Sequence, residues 1–360
     1  MRVLVGVLSA AALAAGMSTP ASGAPRDVLG DTMRSLVAAG APGAIGLVRT
    51  GETRRYAAAG YADVARREPA DVRQRFRIAS NTKAFTAAVV LQLVGEKRLS
   101  LDAPVSRWLP EVPPDITVRQ LLNHTSGLYD PTTEKEFWTP YLSGDRGYVY
   151  HPADIVAAAL PHARVAGYSN TNYLVAGLLI EKVTGRSAVS EVYRRILVPL
   201  HLVDTSFPTV DPRIHGRHLH GYALDGHTDL TVFSPSYDWT AGALVSTLDD
   251  LAKFHRALFD GTLLRPAELA ELKTTAEVDG VAMGLGVDRL AIPCENGGQQ
   301  VVWGDSGGGP GFNSYSLISE DGARQLVVAM NVYDIAEELA GNWPIPKNAN
   351  LIPAMQGVFC

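Results

Sequence analysis

Strand signals crowd both ends of this chain and leave its middle to helices, and that arrangement limits the fold more than any other feature. Near the start, residues 43–50, the turn Gly51-Glu52 and residues 54–61 read as a β-hairpin. Near the end, residues 300–303, 312–319, the turn Glu320-Asp321-Gly322 and residues 325–331 repeat the signal. A lone hairpin is marginal in water, so the two ends are expected to share one antiparallel sheet. Between them, apolar spacing predicts helices over 81–94, 117–122, 170–184 and 247–258, with another over 31–39 ahead of the first strand. The expected fold class is α+β, with a sheet part from residues 25–85 and 286–360 and an inserted helical part from 86–285.

The 360 residues are 46% hydrophobic, enough for a sizeable core, and 32 Lys+Arg against 37 Asp+Glu leave a net charge of −5. With no long basic run, the electrostatic footprint of a nucleic-acid binder is missing, and small-molecule or peptide chemistry becomes the working class. Arg2, the apolar run 3–15 and the small residues Ala21-Ser22-Gly23-Ala24 read as a cleavable secretory signal over residues 1–24, too short for a membrane anchor. The mature protein is then expected to be secreted and to keep no membrane span. In an exported chain the two cysteines, Cys294 and Cys360, most economically form one disulfide; two unpaired thiols are the other reading.

Ser80-Asn81-Thr82-Lys83 opens an apolar segment, Ala84 to Leu91, that reads as a buried helix. Positions three apart on a helix are neighbours, so the Lys83 ammonium can touch the Ser80 hydroxyl, and the helix N-terminus favours developing negative charge. An alcohol nucleophile needs such activation. The plain alternative is an N-cap serine followed by a solvated lysine. Tyr168-Ser169-Asn170 precedes a second helix-like run, and a tyrosine accepts protons only where cations lower its pKa, a task open to Lys83. The glycine-rich strand from Trp303 through Asp305, Ser306, Gly307 and Gly308 to Phe312 lets a substrate backbone lie close, and a free N–H there completes an oxyanion hole with that of Ser80. A plain turn or bulge is the other reading of that segment.

These three segments, in this order, resemble the serine β-lactamase and penicillin-binding-protein superfamily. The tyrosine-containing second segment is similar to that of class C β-lactamases and secreted D-alanyl-D-alanine carboxypeptidases. Leu121 to Leu128 (with Asn123-His124-Thr125-Ser126-Gly127), Pro199-Leu200 with Asp204-Thr205-Ser206-Phe207, and Ala241-Gly242 with Ser246 to Leu251 extend the likeness from about Gly43 to Asn331. The resemblance implies a β-lactamase/transpeptidase-like fold, Ser80 as the acylated nucleophile, Lys83 and Tyr168 as the proton-handling pair, and Asn170 as a ligand of the substrate amide. It also implies an oxyanion hole from the N–H groups of Ser80 and Gly308, and substrate contacts along Asp305, Ser306, Gly307 and Gly308. Which of Lys83 and Tyr168 is the base stays open. One departure stands out: relatives begin the third segment with Lys or His, and here Asp305 occupies that place. An anion there is expected to weaken recognition of a C-terminal carboxylate or a penicillin carboxylate, unless a cation such as Arg289 compensates.

Other features are expected to be structural. Gly304-Asp305-Ser306-Gly307-Gly308 reproduces the nucleophile motif of chymotrypsin-like proteases, but a helical middle does not supply their double barrel with its His and Asp. His124 reads as a buried, hydrogen-bonded loop histidine, and His215, His218 and His220 as surface, not a metal site. Trp138, Tyr141, Tyr148 and Tyr150 either line a cleft or anchor a loop. The expected protein is a secreted, monomeric serine hydrolase that forms an acyl-enzyme at Ser80 with a small peptide, amide or ester, using neither metal nor organic cofactor. D-alanyl-D-alanine carboxypeptidase action on peptidoglycan stem peptides, with β-lactams as further ligands, leads. An esterase or D-amino-acid amidase on substrates without a terminal carboxylate, and a non-catalytic cell-wall peptide binder, are the alternatives.

Overall fold

The structure, a computed structural model, describes residues 27–360, so the leader expected over 1–24 lies outside the described residues. α1 (Val28–Ala38), capped by the Asp27 carboxylate on the Gly30 N–H, runs into β1 (Gly43–Thr50), β2 (Thr53–Asp63), β3 (Glu68–Pro69) and β4 (Phe76–Arg77). The helical half follows: α2 (Thr82–Gly95), α3 (Val118–Leu122), α4 (Thr139–Leu142), α5 (Pro152–Ala159), α6 (Thr171–Thr184), α7 (Ala188–Val192) and α8 (Trp239–Gly242). It closes with β5 (Val245–Ser246), paired to β4, then α9 (Leu248–Phe259) and α10 (Pro266–Leu272). The chain returns through β6 (Ala276–Val278), β7 (Val281–Met283), β8 (Asp288–Pro293), β9 (Gln299–Gly309), β10 (Phe312–Ser319) and β11 (Arg324–Met330), and ends in α11 (Ile335–Leu339) and α12 (Ile352–Phe359).

Nine strands form one antiparallel sheet in the order β3-β2-β1-β11-β10-β9-β8-β7-β6. β1 against β11 is the seam between the two ends of the chain, with Ile45 opposite Ala329 and Leu47 opposite Val327. Successive side chains point to opposite faces. Ile45, Leu47, Val327 and Ala329 join the core shared with the helical half, whereas Ala44, Val48, Leu326 and Val328 pack with residues of α1 and α12. Both faces are covered, which is why these strands read as continuous apolar runs. β6, β7 and β8 have no counterpart among the predicted strands, and β6 and β7 lie inside the stretch read as helical. Two of them are three residues long, too short for an alternation to register.

α2 is apolar on every side and runs through the centre of the helical half, with Phe85 stacked on Phe254 of α9 at 3.5 Å between ring centroids. Each fully buried side chain of this size contributes about 1.5–3 kcal/mol relative to exposure. On the opposite side of the sheet, Cys294 after β8 is bonded to Cys360 at the end of α12. Among the described residues no helix is long and apolar enough to cross a membrane.

Candidate active site

Ser80 sits in a single 3-10 turn, Ala79–Asn81, that immediately precedes α2. It is not an N-cap. Ala79 has φ +44°, a conformation that costs about 1–3 kcal/mol for a residue with a Cβ and persists only where neighbours enforce it. Here the Ile78 carbonyl accepts from Ser314 Oγ of β10 at 3.2 Å, and Asn81 Nδ2 donates to that same Oγ at 3.1 Å. The sheet thereby holds the strained turn that presents Ser80.

One turn on, Lys83 is 1% exposed, so the solvated-lysine reading is set aside. Its Nζ lies 3.0 Å from Ser80 Oγ, 2.8 Å from Asn170 Oδ1 and 2.9 Å from the Ala241 carbonyl, so with its N–H groups on the two carbonyl oxygens a neutral amine keeps its lone pair toward the Ser80 hydroxyl. Tyr168 Oη lies 3.0 Å from Ser80 Oγ on the other side. The Asn170 N–H donates to Asp130 Oδ2 at 2.7 Å, and its side-chain amide donates to Thr132 Oγ1 at 3.1 Å, so the turn before α6 is fixed by the loop after α3. His124 stacks on the Tyr168 ring at 4.1 Å and its Nδ1 accepts from the Ser169 N–H at 3.2 Å. It is the buried loop histidine expected, and it also seats Tyr168, which its local sequence does not announce.

Burial lowers the Lys83 pKa, and the carboxylates of Asp238, Asp305, Asp130 and Asp288 pull it partly back. Tyr168 goes the other way: burial of its hydroxyl, reinforced by Asp305, raises it well above 10, so the lowering expected from Lys83 is overturned. His124 is held well below 6.5, first by burial and then by Lys83, and is therefore neutral.

The glycine-rich strand is β9, whose pairing with β8 stops at Gly304 while its pairing with β10 continues to Gly309. Gly309 and Phe312 close a two-residue turn as a hydrogen-bonded pair. Alternation along the ladder then leaves the N–H groups of Ser306 and Gly308 on the open edge. The Ser306 N–H is taken at 2.7 Å by Asp305 Oδ1. Gly307 packs against the Ser80 turn, where an added Cβ would stand 2.1 Å from the Ile78 carbonyl oxygen and 3.1 Å from the Ser80 nitrogen.

A cleft of about 250 Å³ opens beside Ser80, and Tyr168, Asn170 and Gly308 line it together with Asp130, Thr132, Trp138, Tyr237, Asp238, Tyr333 and Glu338. Asp305, Ser306 and Gly307 were expected at the substrate and do not line it. Asp305 shares the Gly307 face of β9, turned toward the helical half, and Ser306 faces the far layer. Arg289 does not compensate for Asp305: it is exposed on β8, and the adjacent Asp288 is instead the second carboxyl near Asp305. Burial and Asp288 raise Asp305 well above the usual carboxylate range, and burial pushes Asp288 up to about 7. Of the four aromatics weighed as cleft walls, only Trp138 serves. The local sequence carried no signal for Asp130, Asp238 or Glu338, which come from three distant segments. His215 and His220 pair with Asp211 and Asp229, and His218 with the Gly216 carbonyl; among the described residues no cluster is arranged to hold a metal.

The beta-lactamase family model matches residues 29–345. A D-stereospecific amidohydrolase from Streptomyces sp. superposes with a TM-score of 0.77 at 35% identity, covering 84% of this chain and 93% of that one. A D-amino acid amidase from Ochrobactrum anthropi, solved with D-phenylalanine, gives 0.73 at 28% identity, covering 85% and 91%. Protein flp from Staphylococcus aureus is 32% identical over 58% of this chain and 44% of its own length, and penicillin-binding protein 4* from Bacillus subtilis 26% identical over 76% and 64%. The matched region thus spans less than two thirds of either of these two relatives.

Proposed function

The chain belongs to the beta-lactamase family of serine hydrolases and penicillin-binding proteins, and on that premise we propose that it is an amidase acting on small amides without a terminal carboxylate, through an acyl-enzyme at Ser80. The contact of Ser80 Oγ with both Lys83 Nζ and Tyr168 Oη at 3.0 Å carries this reading. Lys83 is the base, because burial favours its neutral amine while Tyr168 is held as a phenol. Neutral Lys83 takes the Ser80 proton as Oγ attacks the substrate carbonyl, and the N–H groups of Ser80 and Gly308 receive the oxyanion. The carbonyl re-forms as the C–N bond breaks. Tyr168 passes its proton to the departing amine and recovers one from Lys83, and water then hydrolyses the Ser80 ester by the same path in reverse.

The charge of the cleft supports the substrate class. Among the described residues lining it there is no Lys or Arg to meet a carboxylate, and there are three acidic side chains. The two structural neighbours named as D-stereospecific amidohydrolase and D-amino acid amidase support the amide bond and the D-configuration. The N-terminal apolar run, together with the disulfide, supports placing the mature protein outside the cytosol. The test compares ammonia release from D- and L-phenylalanine amide with D-alanine release from a diacylated Lys-D-Ala-D-Ala peptide. Faster turnover of the D-amide, reduced about 10³-fold or more in Ser80→Ala, is expected. Preferential release of D-alanine would replace this reading with a carboxypeptidase.

A further inference from the structure

Three carboxyl groups line the cleft, and they are not equivalent. Asp130 is fully employed: Oδ2 accepts from the Asn170 N–H, and Oδ1 accepts from both the N–H and the hydroxyl of Thr132. Asp238, just ahead of α8, is 4% exposed, lines the cleft with Ser80, and has an Oδ1 that is buried without any hydrogen-bond partner. The nearby Lys83 Nζ does not satisfy it, since its contacts go to Ser80, Asn170 and the Ala241 carbonyl. Glu338 of α11 lines the same cleft beside the Tyr333 hydroxyl. A buried carboxylate with a bare oxygen is costly unless a cation meets it. The cleft that Asp238 lines is the one beside Ser80, so a cationic group on the substrate is placed to meet it.

We propose that Asp238, assisted by Glu338, binds a free ammonium group of the substrate, which restricts turnover to amides whose α-amino group is unblocked. This specificity rests on the amidase reading above. Burial pushes Asp238 up to about 6, against the lowering influence of Lys83, and Asp130 and Glu338 add to the rise; Tyr168 and Tyr237 are the other titratable groups near it. Asp238 is therefore ionised above about pH 6, while an α-amino group stays protonated below about pH 8. The favourable pairing is confined to the window between.

The experiment measures kcat/KM for D-phenylalanine amide and N-acetyl-D-phenylalanine amide across that range, in wild type, Asp238→Asn and Glu338→Gln. The wild type is expected to favour the free amine at least about tenfold near neutrality, with the preference shrinking at both ends of the window. In Asp238→Asn the ratio of the two substrates falls toward unity, mainly through KM, and Glu338→Gln lowers it less. Equal turnover of both amides by the wild type, or an equal loss on both in Asp238→Asn, overturns the ammonium site and leaves the amidase reading standing. Turnover of neither by the wild type overturns both. Should Asp238→Asn fail to fold, inhibition of the wild type by 2-phenylethylamine decides: competitive inhibition that weakens as pH falls through about 6 is expected, and no inhibition overturns the site.

Discussion

Lys83 has to be basic enough to take a proton from Ser80 and enclosed enough to exist as a neutral amine, and its surroundings set the balance. Burial lowers its pKa, whereas Asp305 is one of the carboxylates that raise it. Burial and Asp288, however, hold Asp305 well above the usual carboxylate range, so through the acid limb it is already the neutral acid and replacing it by Asn removes little charge. The acid limb of kcat/KM on an uncharged N-acyl substrate is expected to stay close to its wild-type position. A clear downward shift, measured the same way, would mean that Asp305 is ionised in the folded enzyme and supports the Lys83 charge. The identity of Asp305 as a departure from its family is plain in the sequence. Its direction is not, because a strand residue faces one side or the other according to pairing, and the pairing of β9 changes partner at Gly304.

The contact between the Ser80 turn and β9 decides whether the nucleophile and the Gly308 N–H point at the same atom. The glycine run was read as room for a substrate. At Gly307 that room is filled by the chain itself, with the Ile78 carbonyl 2.1 Å from where a Cβ would stand. A run of glycines reports that side chains are excluded and says nothing about what excludes them. Gly307→Ala must push the turn away from the strand and widen the oxyanion hole. A drop of about 10²–10³ in kcat with a smaller change in KM is expected, and circular dichroism should report an unchanged fold. Wild-type kcat in this variant would place the oxyanion donors elsewhere. The helices flanking this contact were legible because α2 and α6 are long and apolar. The strain at Ala79 was not, since alanine carries no mark of a positive φ.

At the scale of the whole molecule, the two ends of the chain meet at β1 and β11, and the strand signals there were strong enough to be read directly. The acidic cleft was not legible, because Asp130, Asp238 and Glu338 become neighbours only after the helical half folds against α11. The last segment is tied down in three ways. Phe359 is fully buried, Gln356 Nε2 donates to the Pro293 carbonyl at 2.8 Å, and the disulfide closes a loop with a sequence separation of 66. Without the bond, the buried face and hydrogen bonds of α12 keep it docked, so the loss falls mainly on the unfolded chain, which regains the entropy of an open loop. Cys294→Ser with Cys360→Ser is therefore expected to cost about 2–4 kcal/mol, read as a fall in Tm of about 3–6 °C. Neither cysteine lines the cleft, so kcat/KM below the transition should match wild type. An unchanged Tm would show that α12 is held by packing alone, whereas lost activity at full stability would show that the end of the chain positions Glu338 through α11.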